Sequence, residues 1–386
     1  MKSNYNQLGQ YIEMVSRTNS DLKYGIEDVR GCSNTKQMMQ TRANLIGRTY
    51  EKFIVLRPQE FVFNRRTTRN GEKIGMAYNN TDREYIFTND YVAFRVKQEY
   101  LDKLLPDYLY LFFCRDEFDR YARYKSTGSA TEFFNWEDMC AVPFEIPPMD
   151  FQQLVVNAYK VLNKRIETKQ KINDNLATQA LTLFSDFVSH LSKKLEQRKL
   201  GDVIASANTG GDAIQKVPIV DYDTGIKCAR VGDITNAREY ASWAFCNASK
   251  SVYDNYKLQA GDILVTRTAT LGITQYIAKD ISAVYNNGLI RLKVNDTNAL
   301  PLYIYWAMKT SDFLNYINQM NSATSVRPNM KIDYLLNYQL SIPSIEEQTQ
   351  FTNTVELLMN AISLNNDEIL KLSEFQAIIL TTLSSR

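Results

Sequence analysis

The residues with the most evident chemistry sit in four polar loops. From 48 to 73 the chain carries seven basic and three acidic residues. The centre of this stretch, "NRRTTRNGEK" at 64–73, interleaves Arg with Thr and Asn beside a glycine. Arg can grip a phosphate or the edge of guanine, and Asn and Thr bond bases or phosphates. "TRTATLG" at 266–272 uses the same Arg-and-hydroxyl palette with less charge. Two further loops, "YKSTGSATEFFNW" at 124–136 and "QMNSATSVRPNMK" at 319–331, are rich in Ser and Thr. They carry Lys125 or Arg327 and are stiffened by aromatics or proline. Each loop alone reads as a polar surface turn. The candidate nucleic-acid contacts they supply are Arg65, Arg66, Arg69, Asn70, Lys125, Ser126 and Ser129, then Arg267, Thr268, Thr270, Ser322, Thr324, Arg327 and Lys331.

Catalytic chemistry is not found beside them. An amino-methyltransferase needs an acid or amide before Pro-Pro and an aromatic after it, but Pro147-Pro148 lies between Ile146 and Met149. No G-x-x-x-x-G-K-S/T phosphate loop exists, so no ATP-driven motor is expected. A nuclease pairing of Pro106-Asp107 with Glu167–Lys169 would span 60 residues, and its second half falls in a helical stretch. With one histidine, His190, a two-histidine metal site is out of reach. Asp116, Glu117 and Asp119 share their helix with Arg115, Arg120 and Arg123, which reads as a charge-laced exposed face. The expectation is therefore no catalytic residue, no metal and no cofactor in this chain.

Composition bounds the setting. With 45 Lys+Arg against 43 Asp+Glu, the net +2 says nothing for or against a nucleic acid, so only local patches could bind one. Five scattered cysteines without a C-x-x-C argue against a disulfide framework or a zinc site and fit a reducing cytoplasm. The polar start "MKSNYNQLGQ" has no signal-peptide core, and no apolar run approaches membrane-spanning length.

The elements that would position the loops occur twice. "LPDYLYLFFCRDEF" at 105–118 returns as "LPLYIYWAMKTSDF" at 300–313, each expected as one amphipathic helix behind a proline. "RPQEFVFNR" at 57–65 matches "QAGDILVTR" at 259–267, with Glu60 facing Asp262 and Arg65 facing Arg267. "TNDYVAFRV" at 88–96 matches "NNGLIRLKV" at 286–294, and "FEIP" at 144–147 matches "LSIP" at 340–343. Short β-rich runs between Gly/Asn/Asp turns give each copy a mixed α/β character. The repeat places the loops at matching sites of both copies, which makes them a ligand-facing edge.

Each copy ends in a long helix. Phe351, Val355, Leu358, Ile362, Asn365, Ile369, Leu372, Gln376, Ile379 and Leu383 are spaced alternately four and three, a coiled-coil seam. The first copy gives Val155, Tyr159, Leu162, Ile166, Lys169, Asn173, Leu176, Ala180, Leu183 and Phe187, with Lys169 aligned to Asn365. The candidate helix-pairing residues are Val155, Leu162, Ile166, Leu176, Leu183, Val355, Leu358, Ile362, Ile369, Leu372 and Ile379. Nine Lys/Arg against five Asp/Glu at 150–199, and two against six at 346–386, give the two segments opposite sign. The expected architecture is α+β. Two similar recognition domains (1–148 and 200–344) are joined by two long helices (149–199 and 345–386) in an antiparallel, pseudo-twofold coiled coil. About 40 helical residues would make a rod of about 60 Å.

The chain resembles the specificity subunits of type I restriction-modification systems. The matching stretches are "YGIEDVRGCSNTKQMMQTRANLIGRTYEKFIVLRPQEFVFNRRTTRNGEKIGMAYN", "LLPDYLYLFFCRDEFDRYARYKSTGSATEFFNWEDM", "AGDILVTRTATLG" and "IPSIEEQ" at 342–348. The resemblance implies that each globular part is a target recognition domain reading one half of a split double-stranded DNA sequence. The helices would set the unread spacer. Two methylation subunits, which would hold S-adenosylmethionine and flip the target adenine, would dock on helices and domains, and restriction/translocase subunits would join them. Half-sites one turn apart lie about 34 Å from each other, within reach of such a rod. With so little net charge, the isolated chain should bind DNA weakly and the assembled complex tightly and salt-sensitively. A non-enzymatic scaffold with two protein-binding domains is the alternative, and a self-contained nuclease or methylase is a third class.

Overall fold

The computed structural model describes residues 6–41, 45, 47–67, 73–128, 131–191, 197–210, 218–323 and 329–383, with only the backbone for 320–323. The chain forms two compact units: Met1–Glu167 with Ile369–Arg386, and Thr168–Glu368.

In the first unit the strands are β1 (Ile12–Val15), β2 (Arg30–Cys32), β3 (Met38–Gln40), β4 (Ile54–Leu56), β5 (Phe61–Asn64), β6 (Met76–Tyr78), β7 (Tyr85–Phe87) and β8 (Tyr91–Val96). An antiparallel sheet of order β1-β8-β5-β6 forms the centre. Successive side chains of a strand face opposite ways. Accordingly Phe61, Phe63 and Phe94 enter one core with the helix Pro106–Phe113, whereas Val62, Ala77 and Ala93 enter a second core on the other face. The pair β4–β7 contributes to that second core, with the β2–β3 hairpin beside it. "YIFTNDYVAFRV" is thus two strands in two different sheets, parted by the turn Thr88–Asp90.

The second unit repeats the central sheet. Its strands are β9 (Gln197–Lys199), β10 (Ile204–Thr209), β11 (Ile219–Val220), β12 (Lys227–Ala229), β13 (Phe245–Cys246), β14 (Ile263–Thr266), β15 (Thr274–Tyr276), β16 (Ala283–Tyr285), β17 (Leu289–Val294) and β18 (Gln339–Ser341). The order β10-β17-β14-β15 matches the first unit strand for strand. A separate sheet, β11-β13-β12-β16, contains a parallel β12–β16 pair.

The repeat extends to single buried side chains. Glu60 accepts from the Arg57 N–H at 2.7 Å and from both Arg17 terminal nitrogens at 3.1 Å. Asp262 accepts from the Gln259 N–H at 2.9 Å. Each carboxylate closes the turn into the strand that leads to the Arg loop. Gln152, fully buried, accepts from the Leu105 N–H at 2.9 Å and donates to the carbonyls of Lys103 and Pro147. Gln348, also fully buried, accepts from the Leu300 N–H at 2.7 Å and donates to the Pro343 carbonyl at 2.9 Å. Each glutamine ties the start of a short helix to the start of a long one.

The stretches 105–118 and 300–313 are not single helices. The first breaks into Pro106–Phe113 and Asp116–Lys125. The second breaks into Pro301–Ala307 and Ser311–Ala323, with the Thr310 hydroxyl accepting from the Phe313 N–H at 3.3 Å. The long helices run Met149–Leu191 and Ile345–Thr382. The first stops short of 199 because Gln197–Lys199 pair as a strand with Gln339–Ser341.

Within each unit the long helices pack antiparallel. In the first, Gln376 donates to Asn163, and Tyr159, Ile379 and Leu383 join one core. In the second, Lys169 donates to Asn365 at 2.8 Å, Asn365 to Asn173 at 2.8 Å, and Phe187 stacks on Phe351 at 5.3 Å. The expected seam positions of the second helix are all buried or half-buried. On the first helix Val155 is buried, and Leu162, Ile166 and Leu176 are half-buried, but Leu183 is 40% exposed and Phe184 is buried instead. A seam step of four from Ala180, following an earlier step of four, shifts the buried line by one residue there, as a stutter does. Lys169 forms an ion pair with Glu368 at 2.8 Å, whereas Lys160 reaches Asp107 of its own unit at 2.9 Å.

Candidate nucleic-acid interface

In the first unit β5 delivers Asn64 to an edge where the chain leaves the sheet. The Phe134 N–H donates to the Arg65 carbonyl at 2.9 Å, and the Thr67 N–H donates to the Glu132 carbonyl at 3.0 Å. Thr127 and Phe133 bond reciprocally at 3.1 and 2.9 Å, which brings these two residues together. Gly128 has φ +145°, and a Cβ there would lie 2.0 Å from the Thr131 carbonyl oxygen, so only glycine fits. The two polar stretches of this unit are thus brought together. Arg65 is exposed with its guanidinium 6.0 Å from the Phe133 ring centre, and Arg66 faces Asp90 at 3.6 Å. Lys125 lies 5.9 Å from the rings of both Tyr121 and Tyr124. The Ser126 hydroxyl bonds back to the Ala122 carbonyl at 2.7 Å and so finishes its helix. Arg69, Asn70 and Ser129 lie outside the described residues.

The second unit builds the same edge. The Met330 N–H donates to the Arg267 carbonyl at 2.8 Å, and Thr268 bridges Asn329. Arg267 is half-buried and fastened: its Nε donates to the Met330 carbonyl at 3.2 Å, and its Nη1 to Asn287 Oδ1 at 3.2 Å. The loop is closed from below, because the Gly272 N–H donates to the Thr266 carbonyl and the Ile273 N–H to the Thr266 hydroxyl, both at 2.9 Å. Ala269 at its tip has φ +62°, a left-handed conformation that costs a non-glycine residue about 1 kcal/mol. Thr270 is exposed beside it. Lys331 is exposed at the start of the helix Ile332–Leu336, and Ser322 lies in the helix Ser311–Ala323. Thr324 and Arg327 lie outside the described residues.

A third segment joins each edge and was not picked out from the sequence. It is the turn before the last central strand, Thr88–Asp90 in one unit and Asn286–Gly288 in the other. Asp90 meets Arg66, and the Arg267 N–H donates to the Gly288 carbonyl at 2.9 Å. A Cβ on Gly288 would come within 2.4 Å of Val231 and 2.9 Å of the Thr268 hydroxyl, so turn and loop are packed without room for a side chain. The recurrence of "TNDY" and "NNGL" in both copies is the one signal in the sequence, and it does not say that they lie beside the Arg loops.

Among the described residues no group of three His, Cys, Asp or Glu side chains is placed to hold a metal ion. No helix of these residues is long and apolar enough to cross a membrane.

A family model for the type I restriction modification DNA specificity domain matches the chain twice, at residues 33–178 and 192–374. Among solved structures, the S subunit of a type I restriction-modification system from M. genitalium aligns with 98% of this chain and 96% of its own, at 14% identity and a TM-score of 0.51. That likeness supports the two-unit fold. An HsdS subunit from Thermoanaerobacter tengcongensis aligns over 98% and 95% at 16% identity and a TM-score of 0.35. A chain from a study of type I R-M complex assembly and conformational transition aligns over 98% and 96% at 14% identity and 0.43. No curated protein matches the chain.

Proposed function

The chain belongs to the type I restriction-modification DNA specificity family and is a DNA-recognition subunit of that kind, and on that premise we propose that each unit reads one half of a bipartite target through its three-segment edge. One observation carries this reading. The Arg-bearing loop is fixed to the segment after the short helices by the same backbone bond twice, Phe134 to Arg65 and Met330 to Arg267. A scaffold that bound protein through unrelated surfaces would have no need to build one polar Arg/Thr edge in duplicate. The contacts proposed are those of the sequence reading: Arg65, Arg66, Arg69, Asn70, Lys125 and Ser129 in one unit, and Arg267, Thr268, Thr270, Thr324, Arg327 and Lys331 in the other. Ser126, whose hydroxyl also bonds back to its own helix, and Ser322 complete the set.

The long helices, in this reading, set the spacer and dock two methylation subunits. Support comes from their exposed apolar residues. Leu154, Val161, Phe375 and Ile378 in the first unit, and Ile172, Leu357 and Leu364 in the second, are exposed, and each immediately precedes a seam residue. On a helix that places them all on one flank of the seam, where a partner helix would cover them. The chain itself would be non-catalytic and cytoplasmic, with chemistry supplied by methylation subunits and by restriction subunits where these join.

Exchange of residues 200–344 for the corresponding part of another such subunit tests the proposal. Methylation mapping should show one half of the modified sequence changed and the other kept. A motif altered in both halves would defeat the modular reading.

A further inference from the structure

The two edges hold their central arginines differently. Among the described residues the Arg65 side chain has one soft contact, the Phe133 ring at 6.0 Å. The Arg267 side chain has three polar ones among the described residues: Nε to the Met330 carbonyl at 3.2 Å, and Nη1 to the Asn287 side-chain oxygen at 3.2 Å and backbone oxygen at 3.5 Å. Nη2 makes no hydrogen bond among the described residues. A guanidinium is a planar fork, so two fixed nitrogens fix the direction of the third. Asn287 supplies two of the three contacts and is itself held in a turn closed by the Leu289 N–H to the Asn286 carbonyl at 3.1 Å. Asn286 Oδ1 accepts from the Gly288 N–H at 3.1 Å, stiffening the same turn.

We propose that Asn287 is a specificity-determining residue of the second unit, acting as a positioning residue that holds the Arg267 guanidinium in one direction so that Nη2 meets a base acceptor rather than sweeping between phosphates. This rests on the reading of the edge as the DNA-facing surface. Guanine, with its O6 and N7 acceptors in the major groove, is the base that such a donor selects. Holding the side chain beforehand removes the ordering cost that a mobile arginine meets on binding. It also raises the penalty for a wrong base, because the fork cannot turn away to a phosphate. Asn89 occupies the matching place in the first unit, but Arg65 is held by the Phe133 ring instead, so the effect belongs to the second half-site.

The test uses the full chain assembled with its methylation subunits and a randomised duplex library, scoring methylation position by position. R267A serves as the reference. N287L, which offers no side-chain acceptor, should weaken discrimination about tenfold at the same second-half positions as R267A, leaving the first half unchanged. N287D keeps an acceptor for Nη1 and should retain the order of base preference, at lower affinity because the arginine charge is offset. Should N287L fail to assemble, N287S, too short to reach Nη1, carries the same expectation. If R267A alters the second half and neither N287L nor N287S does, Asn287 is a bystander and the proposal falls alone. A uniform loss across both halves would mark Asn287 as structural and equally overturn it. If R267A itself leaves the second half untouched, the edge is not the reading surface and both claims go.

Discussion

Asn366 on the second long helix donates its side-chain amide to the Glu239 carboxylate at 2.5 Å, and its own oxygen accepts from Asn173 at 2.7 Å. The polar layer of the helix seam therefore runs on, through Lys169, Asn365, Asn173 and Asn366, into a loop of the second recognition unit. Glu239 remains exposed overall, but desolvation of its carboxyl against the long helix, with Asp367 adding like charge, pushes that carboxyl above the ordinary glutamate value of 4.5. A carboxyl with a raised folded pKa holds its proton more tightly folded than unfolded. Its contribution is thus most favourable in acid and is lost as pH rises from the ordinary value through the raised one. E239Q keeps an acceptor for Asn366 and removes the charge. Its urea midpoint should exceed the wild type at about pH 7.5 and converge with it near about pH 4. Curves that stay parallel across this range would show that the carboxyl titrates as if in water.

Lys36 and Asp119 form a buried ion pair that holds both backbone groups of Ile74, where the first Arg-rich loop rejoins the sheet. Lys36 Nζ donates to the Ile74 carbonyl at 2.9 Å, and Asp119 Oδ1 accepts from its N–H at 3.0 Å. Burial drives the Lys36 ammonium below the usual lysine value despite its partner. K36M strands a carboxylate and should cost about 3–5 kcal/mol in denaturant titration, while K36M/D119L should recover much of it. A double variant no better than the single one would mean that the pair's backbone bonds, not its charge balance, dominate.

Gln348 offers a cleaner case of satisfied burial. Q348A leaves the Leu300 N–H and the Pro343 carbonyl without this partner and should destabilise the second unit by about 2–4 kcal/mol. Q152A should do the same in the first. Hydrogen exchange at Leu300 should speed up in Q348A, and an unchanged rate would contradict the proposed tie.

The seam shift gives a paired prediction. F184A should cost about 3–5 kcal/mol, whereas L183A should stay within about 0.5 kcal/mol. Equal losses would restore the unbroken four-three spacing. The slip shows what was legible and what was not. Spacing alone located both helices and a seam that is buried or half-buried along most of its length, but it missed buried Val156 and Thr352 beside that seam. At 183–184, however, both Leu and Phe are apolar, so pattern cannot choose between them, and packing against Tyr303 and Phe351 does. The repeat likewise marked the β-rich runs that supply the central sheet in both copies, though not their grouping into sheets. It could not reveal β11-β13-β12-β16, whose strands have two or three residues and too few alternations to register. The break after Phe113 escaped because the apolar run continues through Cys114. The reading edge was half legible. Its Arg and Ser/Thr loops stand out by composition, whereas the turn Asn286–Gly288 matters through where it lies and would pass for any hairpin end.

Lys169 bonds to Asn365, the residue at its own place in the repeat. Were the halves made as separate peptides, two first halves would bring ammonium against ammonium at that rung, while two second halves would bring amide against amide, which can bond. A first half should therefore shun its own kind and favour a second half, a partner preference that one residue difference is enough to write.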